Sequence, residues 1–337
     1  KDPEFLKSKV MKKLVLLSVS VVLALSSMHA QVVSVSPFAE GVKLLNYEKN
    51  KSALAFFKEA LDKNPTNTEN IFWYGEAVLA EQGSGMPSDT TIKKAKAIYQ
   101  QALQAAGNDP WLLVGMSHVQ LLEGADVNAV KQNLEVALTT TLLTKGKFKG
   151  KPNQDIVNAI GYIHAEIPSN IGDHRYAIDK LKETISAYES KVNPNLFINL
   201  GINYLKAGGE NGGEAVTAFQ EAITRDPKNA FPYYRTGRVY QTQSNRESFD
   251  EYYSKAIAAD PTFPPVYFAL YSYYADLNTQ TATETAKVNL DLFLKYADKD
   301  PSLDIFNADY LFRAGQYDAS LEKAKALESS IGIEALP

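Results

Sequence analysis

Residues 194–227 read PNLFINLGINYLKAGGENGGEAVTAFQEAITRDP, and residues 228–261 read KNAFPYYRTGRVYQTQSNRESFDEYYSKAIAADP. The two stretches carry similar side-chain types at the same spacings within each half. Phe197, Leu200, Gly201, Tyr204, Ala215, Phe219, Ala222 and Pro227 answer to Tyr233, Thr236, Gly237, Tyr240, Phe249, Tyr253, Ala256 and Pro261. Steps of three and four within each group mark one face of a helix, so each stretch predicts two helices joined by a turn. Gly201 and Gly237 fall where the first helix must cross the second, a place that only a small residue fills. Pro227 and Pro261 cannot continue the second helix, which therefore stops near Asp226 and Asp260. A single hairpin of this kind cannot bury its apolar face, but a stack of them can.

An aromatic, a Leu-Gly pair, a Tyr, an Ala-x3-aromatic and a closing Pro, repeated every 34 residues, resemble the tetratricopeptide repeat (TPR) family. The resemblance implies an all-α fold, a right-handed TPR superhelix of about eight helical hairpins that binds other chains.

Working outward, the repeat recurs with losses. The clearest units are 34–67, with Gly41, Leu44, Ala53, Phe57, Ala60 and Pro65, and the pair 194–227 and 228–261. Residues 68–193 hold degenerate or interrupted units. Their small residues are Gly75, Gly115 and Gly161, and they carry insertions at 82–88, 144–153 and 168–173. Residues 262–300 form a seventh unit in which Tyr271 takes the place of the small residue, so packing there is expected to be looser or shifted. Residues 301–331 read as a capping hairpin with a polar first helix (Asp304, Asn307, Asp309).

The chain's start reads differently. Lys1 to Val10 look like a cloning-site remnant ahead of Met11. Residues 11–30 run from Lys12-Lys13 through an apolar stretch to Ser26-Ser27-Met28-His29-Ala30, the order of a secretory signal peptide cut after Ala30. The apolar run is too short to span a bilayer, which takes roughly 20 residues. The expectation is an exported protein, periplasmic or outer-membrane-associated, that does not span the membrane. Residues 31–337 would then be the solenoid. Cysteine is absent, which removes a cysteine-linked lipid anchor and any disulfide.

Charge limits the partners. Five of the 35 Lys and Arg and two of the 39 Asp and Glu lie in the first 30 residues, so the remainder carries a net charge of −7. No dominant positive surface for nucleic acid is expected.

No catalytic constellation is legible, and the expectation is a non-enzymatic protein without cofactor or metal. His118 and His164 share the offset held by Tyr204 and Tyr240, so they read as packing residues. His174 lies across an insertion from His164, and those two are the pair most able to contradict the absence of metal. Gly208 to Gly213 lacks the Lys-Ser/Thr ending of a phosphate-binding loop and fits an extended turn. Lys145, Lys147, Lys149 and Lys151 alternate with Gly146, Phe148 and Gly150. They form a mobile loop with one aromatic anchor, either a contact for an anionic surface or a solvated connector.

Thirteen residues between Phe231 and Tyr274 are Phe or Tyr, more than the packing offsets consume. In the TPR family the first helix of each hairpin lines a concave groove. Carried onto this sequence, the resemblance places Ile198 and Ile202 there, then Phe231, Tyr234, Arg238 and Gln241, then Phe268, Ser272 and Asp276. Tyrosine and arginine are the residue types that anchor partners. The alternative is that these rings pack against a neighbouring loop or the chain's own C-terminal part. Asn199, Asn203, Arg235 and Arg238 are similar in kind to the family's clamp for acidic tails, but the clamp's lysines are missing and it is not carried over. The functional expectation is a cell-envelope scaffold or adaptor that binds a protein or peptide segment, for assembly or secretion of an envelope complex. The alternative is a binding protein for glycan or peptide ligands, whose sugars exposed tyrosine faces would stack upon.

Overall fold

The computed structural model describes residues 37–83, 85–277 and 279–332. The proposed leader at 11–30 lies outside them. The chain divides into two compact units, residues 1–39 and 40–337, and the second holds nearly all that follows.

Sixteen α-helices are present among the described residues, and they pair into eight hairpins. These are α1 (Ala39–Asn46) with α2 (Asn50–Lys63), α3 (Thr68–Ala80) with α4 (Asp89–Ala106), and α5 (Pro110–Leu122) with α6 (Val127–Thr140). Next come α7 (Gln154–Glu166) with α8 (His174–Tyr188), α9 (Pro194–Ala207) with α10 (Gly212–Arg225), and α11 (Ala230–Thr242) with α12 (Arg246–Ala259). The last are α13 (Pro264–Asp276) with α14 (Gln280–Tyr296), and α15 (Ile305–Arg313) with α16 (Tyr317–Ile331). Short polar side chains start most of them. Asn67, Ser88, Asp109, Asp126, Asn153, Asp173, Asn193 and Asn229 each accept a hydrogen bond from a backbone N–H of the first turn, satisfying donors that the helix leaves open.

The glycines mark the crossings. A Cβ on Gly201 would come within 2.5 Å of Phe219, and one on Gly237 within 2.5 Å of Tyr253. Tyr99 is wedged between two hairpins, since Cβ atoms on Gly75 and Gly115 would meet its ring at 2.3 and 2.4 Å. Its hydroxyl donates to the Phe72 carbonyl at 2.8 Å and to Glu76 at 2.9 Å.

Neighbouring hairpins join in two ways. From the second to the fifth unit the first helices lie directly on one another, α3 on α5, α5 on α7 and α7 on α9. Polar side chains bridge these joints. Glu76 meets His118 Nδ1 at 2.7 Å, Asn199 donates to Asn158 Oδ1 at 2.9 Å, and Asn203 donates to the Gly161 carbonyl at 2.9 Å. Beyond the fifth unit the joints pass from a second helix to the next first helix, α10 to α11, α12 to α13 and α14 to α15.

The seventh unit shows what replaces its missing glycine. Tyr271 is buried with Ala286 and Leu290 and packs toward Phe306 in the last hairpin, donating its hydroxyl to Asp309 at 2.7 Å. The ring has shifted from an intra-hairpin contact to the next joint. The last hairpin departs from a polar cap, because Phe312, Tyr317 and Leu321 are 60%, 63% and 53% exposed.

Candidate interaction groove

The expected groove residues fall into three groups. On α9, Ile198 and Ile202 are buried, at 3% and 5% exposure. Because α9 lies directly on α7, its side chains from Leu196 to Asn203 are consumed between helices and none lines an open surface. Asn199 and Asn203 are spent on the bridging bonds already described, so they have no amide left for a ligand.

On α13, Phe268 sits 5.0 Å from both Phe293 and Phe306, and Asp276 pairs with Arg313 at 3.0 Å. Ser272 is half-buried between them in sequence. The last hairpin thus covers most of this face.

On α11 the lining stays open in part. Phe231 is buried, and Tyr234 is half-buried, stacking on Tyr253 with centroids 6.0 Å apart and meeting Phe263 edge-on at 5.3 Å. Arg238 is exposed and donates to Gln241 at 3.4 Å, while Gln241 accepts from the Tyr253 hydroxyl at 2.6 Å.

The most telling residue here is Arg235, which groove offsets did not select. It lies over the Phe231 ring at 5.8 Å, and its Nε is buried with no hydrogen-bond partner. Burial lowers its pKa, while Tyr234, Glu166 and Glu48 oppose that effect. Glu48 and Glu166 are both exposed, yet the protein around them raises their carboxyls by desolvation against the pull of nearby cations. Lys206, whose charge burial disfavours, completes the set. Two carboxylates and three cations therefore act on one another beside Tyr234, and among them the buried Arg235 Nε has no hydrogen-bond partner. Such a lining can hydrogen-bond a carbonyl or carboxylate of a bound chain.

Glu48 and its neighbours reach this place through a long-range contact. Tyr47 donates to Asp260 at 2.8 Å, Lys43 pairs with the same carboxylate at 3.0 Å, and the Tyr47 ring meets Phe263 at 4.6 Å. Further along, Lys51 pairs with Asp300 at 2.6 Å, and Ser52 donates its N–H to Asp298 at 3.0 Å and its hydroxyl to the same carboxylate. Burial would raise Asp260, but hydrogen bonds from Thr262, Tyr47 and Lys43 prevail and hold its carboxyl at about 2. Of the rings expected to meet a neighbouring loop or the C-terminal part, Phe268 meets Phe306 of the last hairpin, while Phe231 and Tyr234 meet Phe263, the ring that Tyr47 of the first hairpin touches.

The histidines are interior. His118 faces Glu76, His164 Nδ1 donates to the Ile160 carbonyl at 2.8 Å, and His174 contacts Asn203 at 3.3 Å. Burial is the main cause that lowers His164 to about 4. Packing alone had been expected of His118; the carboxylate opposite it adds a buried charge-assisted bond. Among the described residues no group of three or more His, Asp or Glu is placed to hold a metal ion.

The lysine loop is tied down more than its glycines suggested. Phe148 stacks on Tyr188 at 4.4 Å, Lys147 pairs with Glu189 at 3.3 Å, and the Gly150 N–H donates to the Leu143 carbonyl at 2.7 Å. Lys145, Lys149 and Lys151 extend into solvent.

Residues 232–263 match the tetratricopeptide repeat family. The fold is a TPR solenoid. Among solved structures, human IFIT1 as a dimer with PPP-AAAA shares 14% identity, over 86% of this chain and 66% of that one, with a TM-score of 0.51. YrrB, a TPR protein with an unusual peptide-binding site, shares 20% identity over 61% of this chain and 92% of its own, with a TM-score of 0.33. MamA shares 21% identity over 51% of this chain and 90% of its own, with a TM-score of 0.35. No curated protein matches the chain. No described helix is long and apolar enough to cross a membrane.

Proposed function

We propose that this protein is a non-catalytic interaction scaffold that holds a peptide or protein segment against the concave face of α11. The observation that carries the reading is the unmet Arg235 Nε beside Tyr234 and Arg238. Such aromatic and guanidinium anchors suit a bound chain, and no nucleophile–base pair stands beside them. Repeats of this kind serve as binding platforms by stacking. The net negative charge disfavours nucleic acid. We further propose that the leader at 11–30 exports the chain to a Gram-negative envelope, where it serves assembly or secretion of an envelope complex.

Crosslinking envelope fractions to the purified protein tests this. Envelope proteins should be recovered by the native chain and lost with Arg235→Ala. Recovery of nothing, together with thermal stabilisation by oligosaccharides, would move the function to glycan binding. N-terminal sequencing of the protein from its host should begin at Gln31; cytoplasmic protein still starting at Met11 would end the export proposal.

A further inference from the structure

A segment of this chain lies at the edge of the face proposed to receive a partner, on the loop that carries Asp260 and Phe263. Asp260, Asp298 and Asp300 form an acidic rim along the ends of α12 and α14, and Lys43, Lys51 and Ser52 of the first hairpin occupy it. Between them the Tyr47 ring lies against Phe263, and Glu48 beside it stands near enough to Arg235 and Arg238 for their charges to act on it. Basic meets acidic, and the acidic residue meets the cations.

The backbone at Glu48 has the conformation of a repeat turn. Its φ is +55°, in the left-handed region that favours glycine, and the corresponding turn of the last hairpin has Gly315 at +74°. Ser244 takes the same conformation at +56° in the corresponding turn of the sixth hairpin, so the repeat itself sets the backbone that presents Glu48.

The charged part of the attachment is of a releasable kind, while Tyr47 at its centre is buried. The Lys43 and Lys51 side chains are 45% and 52% exposed, and half-exposed ion pairs are individually weak and screened by salt.

We infer that the first hairpin is an intramolecular ligand, a clasp that yields this surface to a segment of another protein carrying a tyrosine followed by a carboxylate between basic residues. The inference rests on the scaffold reading for its partner, though not for the clasp itself. The bound partner would take the rim and the Arg235–Arg238 pair in place of Lys43, Tyr47, Glu48 and Lys51. The free protein competes with its own partner, so apparent affinity falls by the fraction of molecules that are open.

The probe is a fluorescent peptide of residues 39–63, with a Tyr47→Ala, Glu48→Gln version as control. Three proteins are compared: native, Lys43→Ala/Tyr47→Ala, and Ser52→Cys/Asp298→Cys bridged with dibromobimane. The native chain has no cysteine, so those two thiols stand alone. The peptide should bind the weakened variant about tenfold or more tighter than the native protein, and the bridged one not at all. The control peptide should bind none of them. Added salt should weaken binding to the weakened variant more than to the native protein, in which the same screening also opens the clasp. Failure of the two thiols to bridge would overturn the clasp. So would equal binding to all three proteins, or no binding to a weakened variant that circular dichroism shows to be folded. A concentration-dependent dimer of the weakened variant would place the released hairpin on a second copy and overturn the heterologous partner. If the peptide competes but weakened and bridged proteins recover the same envelope proteins, the clasp stands and the scaffold reading fails.

Discussion

Units two to five and units six to eight use the same repeat to opposite ends. In the first group the first helices touch, and their facing residues become a buried polar ladder of Glu76–His118, Asn158–Asn199 and Gly161–Asn203. In the second the joints run through second helices, and the face of α11 is left for other use. The contact between α12 and α13 is slight, and that is where Lys43 and Tyr47 reach across to Asp260 and Phe263. Whether a groove offset lines a groove is thus decided by the joint. The repeat alone does not decide it.

Breaking the dense group should cost most. Tyr99→Ala removes a fully buried ring shared by two hairpins and takes a hydroxyl from buried Glu76. The expected loss is about 3–5 kcal/mol, measured by denaturant unfolding; a loss below about 1 kcal/mol would mean the two hairpins do not share that ring.

Acid should separate the two groups in order. His164 has a folded pKa of about 4 against an ordinary 6.5, so the unfolded chain binds more protons between those values. Stability is therefore complete above pH 6.5 and falls toward pH 4, by about 3 kcal/mol. His164→Gln should flatten that slope. Asp260 shifts in the same direction but in a lower window, from 3.8 to about 2. Its contribution is present above pH 4 and is lost only as pH falls through 2. A dense group that keeps its stability to pH 4 would remove the contrast.

Gly237→Leu should overpack the crossing with Tyr253 at a cost of about 1–3 kcal/mol. Hydrogen exchange should then rise in units five to seven, where joints are thinner, and stay unchanged at Glu76 and His118. A rise throughout would show that the chain unfolds as one body.

The smallest effect belongs to the lysine loop. Lys147 and Glu189 are 71% and 68% exposed, and Lys147→Ala should cost less than about 1 kcal/mol. Phe148→Ala, which frees the ring stacked on Tyr188, should cost more. The reverse order would make the charges, and not the aromatic anchor, the fastening of that loop.

The repeats were legible because Gly75, Gly201 and Gly237 each answer to a ring on the following helix, and a helix crossing needs both. Tyr271 was legible as an exception, though its destination on Phe306 was not. The misplacement of Ile198 and Ile202 has a physical cause: an offset names a face of a helix, whereas burial depends on which helix lies across it. Arg235 escaped for the same reason. The contacts of Lys43, Tyr47 and Lys51 leave no periodic trace, because their partners lie more than 200 residues away.

That distance has a consequence in time. Most contacts in a solenoid form between neighbours as soon as each unit is complete. The partners of Tyr47 and Ser52 lie 213 and 246 residues downstream. At ribosomal speeds they emerge roughly 10–50 s after the first hairpin. The earliest part of this domain to be synthesised is therefore among the last to be fastened, and for that interval Lys43, Tyr47 and Lys51 stand open to any acidic chain nearby. Refolding from denaturant should end on the same event, a final slow step that the Ser52→Cys/Asp298→Cys pair would time through the rate at which it becomes bridgeable.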